Sequence, residues 1–187
     1  MLSYVLNSRN NLIFVCSIIT LLSVSSCEVL RTKSNASVSP RASAPSPRTK
    51  AKPEAVASTH VKNLLKIARS YTGVPYLSGG NDENGIDCSG LLCNSFKELG
   101  ILLPRVSWQQ SEFFPAIDMP NIQKGDLVFF VTTGKNINHA GIVTEVKGED
   151  EVLFIHASSS KGVREDNMMN AYWKARFARV CRPDFVK

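Results

Sequence analysis

Cysteine and histidine are scarce in this 187-residue chain, which has five of the first and three of the second. Five cysteines are too few for a disulfide scaffold of this length. None of them forms a C-x-x-C pair, so a dithiol redox motif is excluded. No apolar run reaches the roughly 20 residues that span a bilayer, which excludes a multi-span membrane protein. There is no internal repeat. Charged residues make up 20% of the chain and hydrophobic residues 43%, which is ordinary globular usage and excludes a wholly disordered or collagen-like chain. At roughly 100–200 residues per domain, the length allows one domain and a tail.

The formal charge of +6 is unevenly placed. Residues 28–58 hold six basic side chains against two acidic ones, whereas residues 59–187 hold 15 against 14. The basic excess belongs to the tail and the foldable part is nearly neutral, so no nucleic-acid partner is expected.

Residues 12–22 (LIFVCSIITLL) form an apolar run of 11, preceded by one positive charge at Arg9. The run is too short to stay in a membrane and fits the h-region of a signal peptide over residues 1–26. It ends in Ser23-Val24-Ser25-Ser26 followed by Cys27. This ending resembles the lipobox of bacterial lipoproteins, which implies lipidation of Cys27 and cleavage before it, with Val24 where leucine is commoner. Several acyl chains anchor stably where one does not. Residues 27–58 follow, with Pro40, Pro45, Pro47 and Pro53 among Ser, Ala, Thr and Lys and no apolar periodicity. They read as a lipidated tether ahead of a domain at 59–187.

Within that domain Val61, Leu64, Leu65 and Ala68 recur at helical spacing, with Ser58 or Thr59 as the expected N-cap. A glycine-rich loop follows. Asp87-Cys88-Ser89-Gly90 opens a second helix, with Leu91, Leu92, Phe96 and Leu99 as its apolar face and Gly100 as its stop. A short helix follows Ser107, and Tyr172 and Trp173 fit a helical turn. Residues 126–131, 140–146, 152–156 and 177–182 read as strands, with a turn at 147–150. Helices first and an antiparallel sheet second predict an α+β domain with the N-terminal helices packed on a central sheet.

Cys88 stands apart from the other thiols. With Asp87 as N-cap it falls in the first turn of a helix, where the partial positive charge lowers a thiol pKa. His139 opens one predicted strand and His156 ends the next, so an antiparallel pair brings them to one end of the sheet. A thiol, an imidazole base and a second group orienting that base are the parts of a nucleophilic catalyst. Cys93 and Cys181 read as inert core residues, and His60 as solvent-exposed. A zinc site from Cys88, Cys93 and the two histidines is disfavoured, because C-x4-C within one helix is poor zinc spacing.

Tyr76-x2-Gly79-Gly80, Gly85-Ile86-Asp87-Cys88-Ser89-Gly90-Leu91, Leu103-Pro104-Arg105-x-Ser107-x2-Gln110, the run 125–130 (GDLVFF), His139-Ala140-Gly141-Ile142 and His156-Ala157-Ser158 resemble, in order and spacing, the NlpC/p60 family of cell-wall cysteine peptidases. Gly162-Val163 through Tyr172-Trp173-Lys174 further resembles the Spr-type lipoprotein murein endopeptidases. The resemblance implies a papain-like α+β fold with Cys88 as nucleophile, His139 as base and His156 as the orienting third member. It implies an oxyanion or substrate contact for Tyr76, and substrate contacts for Asp87 and Ser89 where members bind an amino group. Arg105, Ser107 and Gln110 match a structural segment, and Gly125-Asp126 shapes a turn. The hairpin at 147–151 is longer than the family pattern, with the expectation that it reshapes a rim of the cleft.

The implied activity is hydrolysis of amide bonds in peptidoglycan stem peptides or cross-links, of the murein D,D-endopeptidase type. The alternatives are a γ-D-glutamyl–diamino acid endopeptidase and a non-catalytic wall-binding lipoprotein. The expectation includes no metal or organic cofactor, a monomer, peptidoglycan as partner, and a lipid-anchored position in the bacterial envelope on the periplasmic face of the outer membrane.

Overall fold

The computed structural model describes residues 53–186, with side chains from 56 onward. The leader, Cys27 and most of the tether lie outside the described residues. The first helix, α1 (Pro53–Ser70), starts ahead of the N-cap expected at Ser58 or Thr59. Pro53 is its first residue, where proline's missing N–H costs nothing and its fixed φ suits the helix. Leu64, Leu65 and Ala68 are buried along one stripe, as the spacing predicts.

A two-stranded hairpin then crosses the glycine-rich loop: β1 (Asn81–Asp82) and β2 (Gly85–Ile86). The Asp82 carboxylate closes its turn by accepting from the N–H groups of Asn84 and Gly85, at 2.8 and 3.3 Å. Helix α2 (Cys88–Lys97) and the short α3 (Ser107–Gln110) follow. Gly100, at φ 77°, halts the chain after α2, and the N–H of Ile101 turns back to the Phe96 carbonyl at 3.1 Å.

The sheet comprises β3 (Leu127–Phe130), β4 (His139–Gly148), β5 (Glu151–Ser158), β6 (Gly162–Asn167) and β7 (Phe177–Cys181), with α4 (Ala171–Lys174) before β7. Its order is β6-β5-β4-β3-β7 and every pairing is antiparallel. Alternation along β3 divides the core. Leu127 and Phe129 join Leu64, Leu91, Leu92 and Phe96 under the helices, while Val128 and Phe130 join Phe154 and Trp173 on the opposite face.

Four points differ from the sequence reading. Strand β6, GVREDN, was not anticipated; an edge strand with four polar side chains in its last four positions carries no apolar alternation to announce it. The turn at 147–150 narrows to Glu149 and Asp150, because β4 runs through Gly148. That hairpin lies at the far end of β4 from His139, on the order of 30 Å along the strand, so it does not rim the histidine end of the sheet. His60 is half-buried, with its ring edge-on to Phe185 at 5.6 Å, and not a free surface residue.

Candidate active site

The site forms where α2 begins and β4 and β5 carry their histidines. Asp87 has extended backbone (φ −95°, ψ 175°) and caps α2 by accepting from the Gly90 N–H at 2.6 Å. Its two oxygens also accept from Ser89 Oγ (3.0 Å), the Gly79 N–H (2.9 Å) and Arg105 Nη1 and Nη2 (2.9 Å each). Burial alone would raise the Asp87 pKa, but Arg105, the Gly90 N–H and Ser89 together hold it below the ordinary carboxylate value. Arg105 also donates to Ser89 Oγ and to the Gly80 carbonyl. Gln110 donates to the carbonyls of Ser89 and Pro104. The segment 105–110 therefore braces the first turn of α2. Gly90 is required there, since a Cβ would come within 2.5 Å of the Gly80 carbonyl oxygen.

That brace holds Cys88 against the start of β4. Its Sγ lies 3.8 Å from the Asn138 carbonyl and receives the Ala140 N–H, so the sulfur abuts the backbone on both sides of His139. Asn138 is itself clamped to Thr132 and Thr133 through its side-chain amide. Cys88 is buried, and the sequence-based expectation of a lowered pKa does not hold. Burial and the Asp87 charge push the thiol up to about 11, outweighing the N–H groups of Ala140, Ser89 and Cys88 itself. Tyr76 bridges to Ile86 beside this turn; burial and then the charges of Cys88 and Asp87 raise its phenol, which stays protonated as a donor.

Ile142 faces Ile155 across the β4–β5 pair, which makes His139 and His156 diagonal neighbours on one face. His139 Nε2 lies 2.9 Å from His156 Nδ1. Burial and the neighbouring His156 push the His139 pKa down to about 3, and burial lowers that of His156. At neutral pH the site thus rests as a thiol and two neutral imidazoles. Trp173 of α4 stacks on His139 (5.2 Å between centroids, 17° between planes) and meets His156 edge-on at 4.9 Å. Phe154 stacks on the His156 ring at 4.7 Å. The expected His139 and His156 meet directly, Cys88 abuts the backbone on either side of His139, and Tyr76, Asp87 and Ser89 lie beside the thiol.

Sequence reasoning missed two groups beyond them. Asp166 Oδ2 lies 3.0 Å from His156 Nε2, and Arg164 Nη2 lies 2.7 Å from Asp166 Oδ1. Both sit on β6, the strand with no apolar signature. Two charged residues at i and i+2, facing the same way once a strand is assumed, were the only trace they left.

A cleft of ≈ 450 Å³ opens beside the histidines, floored by His139, His156 and Trp173 and walled by Ser160, Arg164 and Asp166. The donors weighed for zinc do not converge. Cys93 is half-buried with its sulfur on the Leu103 and Pro104 carbonyls and near Gln110, while the histidines bond each other. Cys181 is buried, with its thiol on the Ser111 carbonyl at 3.0 Å. Among the described residues no helix is long and apolar enough to cross a membrane.

A sequence profile described as the NlpC/P60 family matches residues 73–182. The chain is 36% identical over 126 residues to "Probable endopeptidase NlpC" of Escherichia coli K12, covering 66% of this chain and 79% of that protein. It is 38% identical over 113 residues to "Murein DD-endopeptidase MepS/Murein LD-carboxypeptidase" of the same strain, covering 60% of this chain and 57% of that one. An NlpC/P60 family protein from Bacillus cereus ATCC 10987 superposes with a TM-score of 0.58 at 27% identity, over 65% of this chain and 39% of that chain.

Proposed function

The chain belongs to the NlpC/P60 family, and from that premise we propose that it is a cysteine peptidase of the bacterial envelope that cleaves peptidoglycan amide bonds, with Cys88, His139 and His156 as its catalytic group. The observation that carries the proposal is the placement of all three at one end of the sheet. The helix-capped thiol of Cys88 abuts the backbone flanking His139, and His139 Nε2 is 2.9 Å from His156 Nδ1. The names of the relatives support murein as the substrate.

The chemistry follows from the protonation states. A thiol near 11 and an imidazole near 3 do not form a resting ion pair, so deprotonation accompanies attack. His139 takes the Cys88 proton as Sγ bonds to the scissile carbonyl carbon. The oxyanion is met by the Cys88 N–H and the Tyr76 side of the turn. His139 then delivers the proton to the departing amine, and water releases the acyl group from sulfur. Saturation of Asp87 by Arg105, Ser89 and two backbone N–H groups makes it a brace for the nucleophile's turn.

Digestion of purified sacculi followed by mass spectrometry of the muropeptides tests the assignment. Loss of cross-linked dimers with gain of monomers is expected, and Cys88→Ser should abolish it. Release of γ-D-glutamyl fragments would move the scissile bond into the stem, and no product from the folded protein would leave only a wall-binding role. Cys27 extends the proposal to a lipid anchor on the periplasmic face of the outer membrane, with the enzyme a monomer. Labelled fatty acid should enter the wild-type protein and not Cys27→Ala; label in neither would remove the anchor and leave the peptidase standing.

A further inference from the structure

We propose that Asp166, aimed by Arg164, is a positioning residue that fixes the tautomers of both histidines and so leaves His139 able to accept the thiol proton. The inference rests on the peptidase assignment for its link to turnover, while its structural content stands on four side chains in series: Arg164, Asp166, His156 and His139.

The chain of contacts has a single consistent direction. The Asp166 carboxylate has only acceptors, so at 3.0 Å His156 must present Nε2–H to it. A neutral His156 then has a bare Nδ1. At 2.9 Å from that lone pair, His139 must donate from Nε2. His139 in turn keeps a bare Nδ1, the nitrogen left to take up a proton. Reversing any one link reverses the next. When His139 accepts the Cys88 proton, its positive charge faces a chain of aligned dipoles ending in the Asp166 negative charge, and no proton need leave His156. Burial of both residues, 8% and 1% exposed, limits water as an alternative partner.

Arg164 gives the proposal a sharp test. It donates to Asp166 Oδ1 at 2.7 Å, leaving Oδ2 for His156. In Asp166→Asn the guanidinium binds the amide oxygen and turns the NH2 toward His156. His156 must then accept at Nε2 and carry its proton on Nδ1. His139 is driven to accept at Nε2 and to protonate Nδ1, the nitrogen that the reaction needs bare. The isosteric Asn should therefore damage the enzyme more than Ala, which removes the constraint without inverting it. A packing role predicts the opposite ranking.

The experiment combines nitrogen NMR of ring-labelled histidines with kinetics on wall fragments. Wild-type protein should show both buried rings protonated at Nε2, and Asp166→Asn should move both to Nδ1–H. Turnover of Asp166→Asn should fall at least about a hundredfold with KM changed by less than about twofold. It should lie below that of Asp166→Ala, and adding Arg164→Gln should recover part of it by freeing the amide to flip. A wild-type His156 protonated at Nδ1, or an Asn variant at least as active as the Ala variant, overturns the proposal. The wild-type spectrum decides even if a variant fails to fold. If the tautomers follow expectation and the wild type cleaves no wall fragment, the peptidase assignment fails and the positioning role stands.

Discussion

At the scale of single residues the proposed mechanism gives the two histidines different duties. His139 must both take and return a proton, and general acid–base catalysis is worth about 10²–10⁴-fold. His156 accepts on one side and donates on the other, which an amide can also do. His156→Gln should therefore keep measurable turnover, its oxygen toward His139 and its NH2 toward Asp166, while His139→Gln should abolish it. Steady-state rates on soluble muropeptides check this division; equal and complete loss at both positions would contradict it. The thiol shows why residue type and position do not settle a pKa. A helix N-terminus stabilises a thiolate, but Cys88 is 5% exposed and adjoins the Asp87 charge, and those two influences prevail.

At the scale of elements, the first turn of α2 is held by one carboxylate. Asp87 receives a helix cap, a loop N–H, a hydroxyl and a guanidinium. Losing a cap costs about 0.5–2 kcal/mol, and removal of Asp87 also leaves the Gly79 N–H and Ser89 hydroxyl without their carboxylate acceptor. Asp87→Ala should lower the unfolding free energy by about 2 kcal/mol or more and reduce turnover, because Cys88 is the next residue. Urea melts measure the first and kinetics the second; an unchanged midpoint would show that the loop holds itself. Helix α4 is equally small and equally consequential. Its Asn170 cap accepts from the Trp173 N–H at 3.0 Å, and Trp173 packs on both histidine rings. Trp173→Ala should cost about 3–5 kcal/mol, read as a fall in the same urea midpoint.

At the scale of the whole molecule, the buried site sets a pH window for stability. His139 titrates at about 3 when folded against an ordinary 6.5. Above 6.5 neither state binds this proton. Below 6.5 the unfolded chain takes it up and the folded one does not, so stability falls by about 1.4 kcal/mol per pH unit. His156, also lowered, adds to the same limb. Cys88 acts at the other end: between 9.0 and about 11 the unfolded thiol ionises while the folded thiol stays protonated, so stability falls as pH rises. Thermal melts should show a plateau between about 6.5 and 9, with the acid limb shallower in His139→Leu and the alkaline limb shallower in Cys88→Ala. A limb equally steep in its variant would assign that limb to other groups.

Much of this molecule was legible along the chain, because local patterns carried it. Runs rich in β-branched and aromatic residues marked β3, β4, β5 and β7, helical spacing marked the buried stripe of α1, and the Asp87-Cys88-Ser89-Gly90 run marked a capped helix start bearing a thiol. The order and spacing of those runs also carried the family resemblance. What pattern cannot express is the work of residues that act across space. Strand β6 lies at an edge and carries four polar side chains in a row, so neither its existence nor the Arg164–Asp166 pair could be read from hydrophobicity. The seat of Trp173 on two imidazoles and the full coordination of Asp87 by Arg105 are long-range contacts with no local trace. Sequence alone determined the family pattern and nominated Cys88, His139 and His156 as its candidate groups; burial and register, which exist only in the folded sheet, decided which neighbours each of them meets.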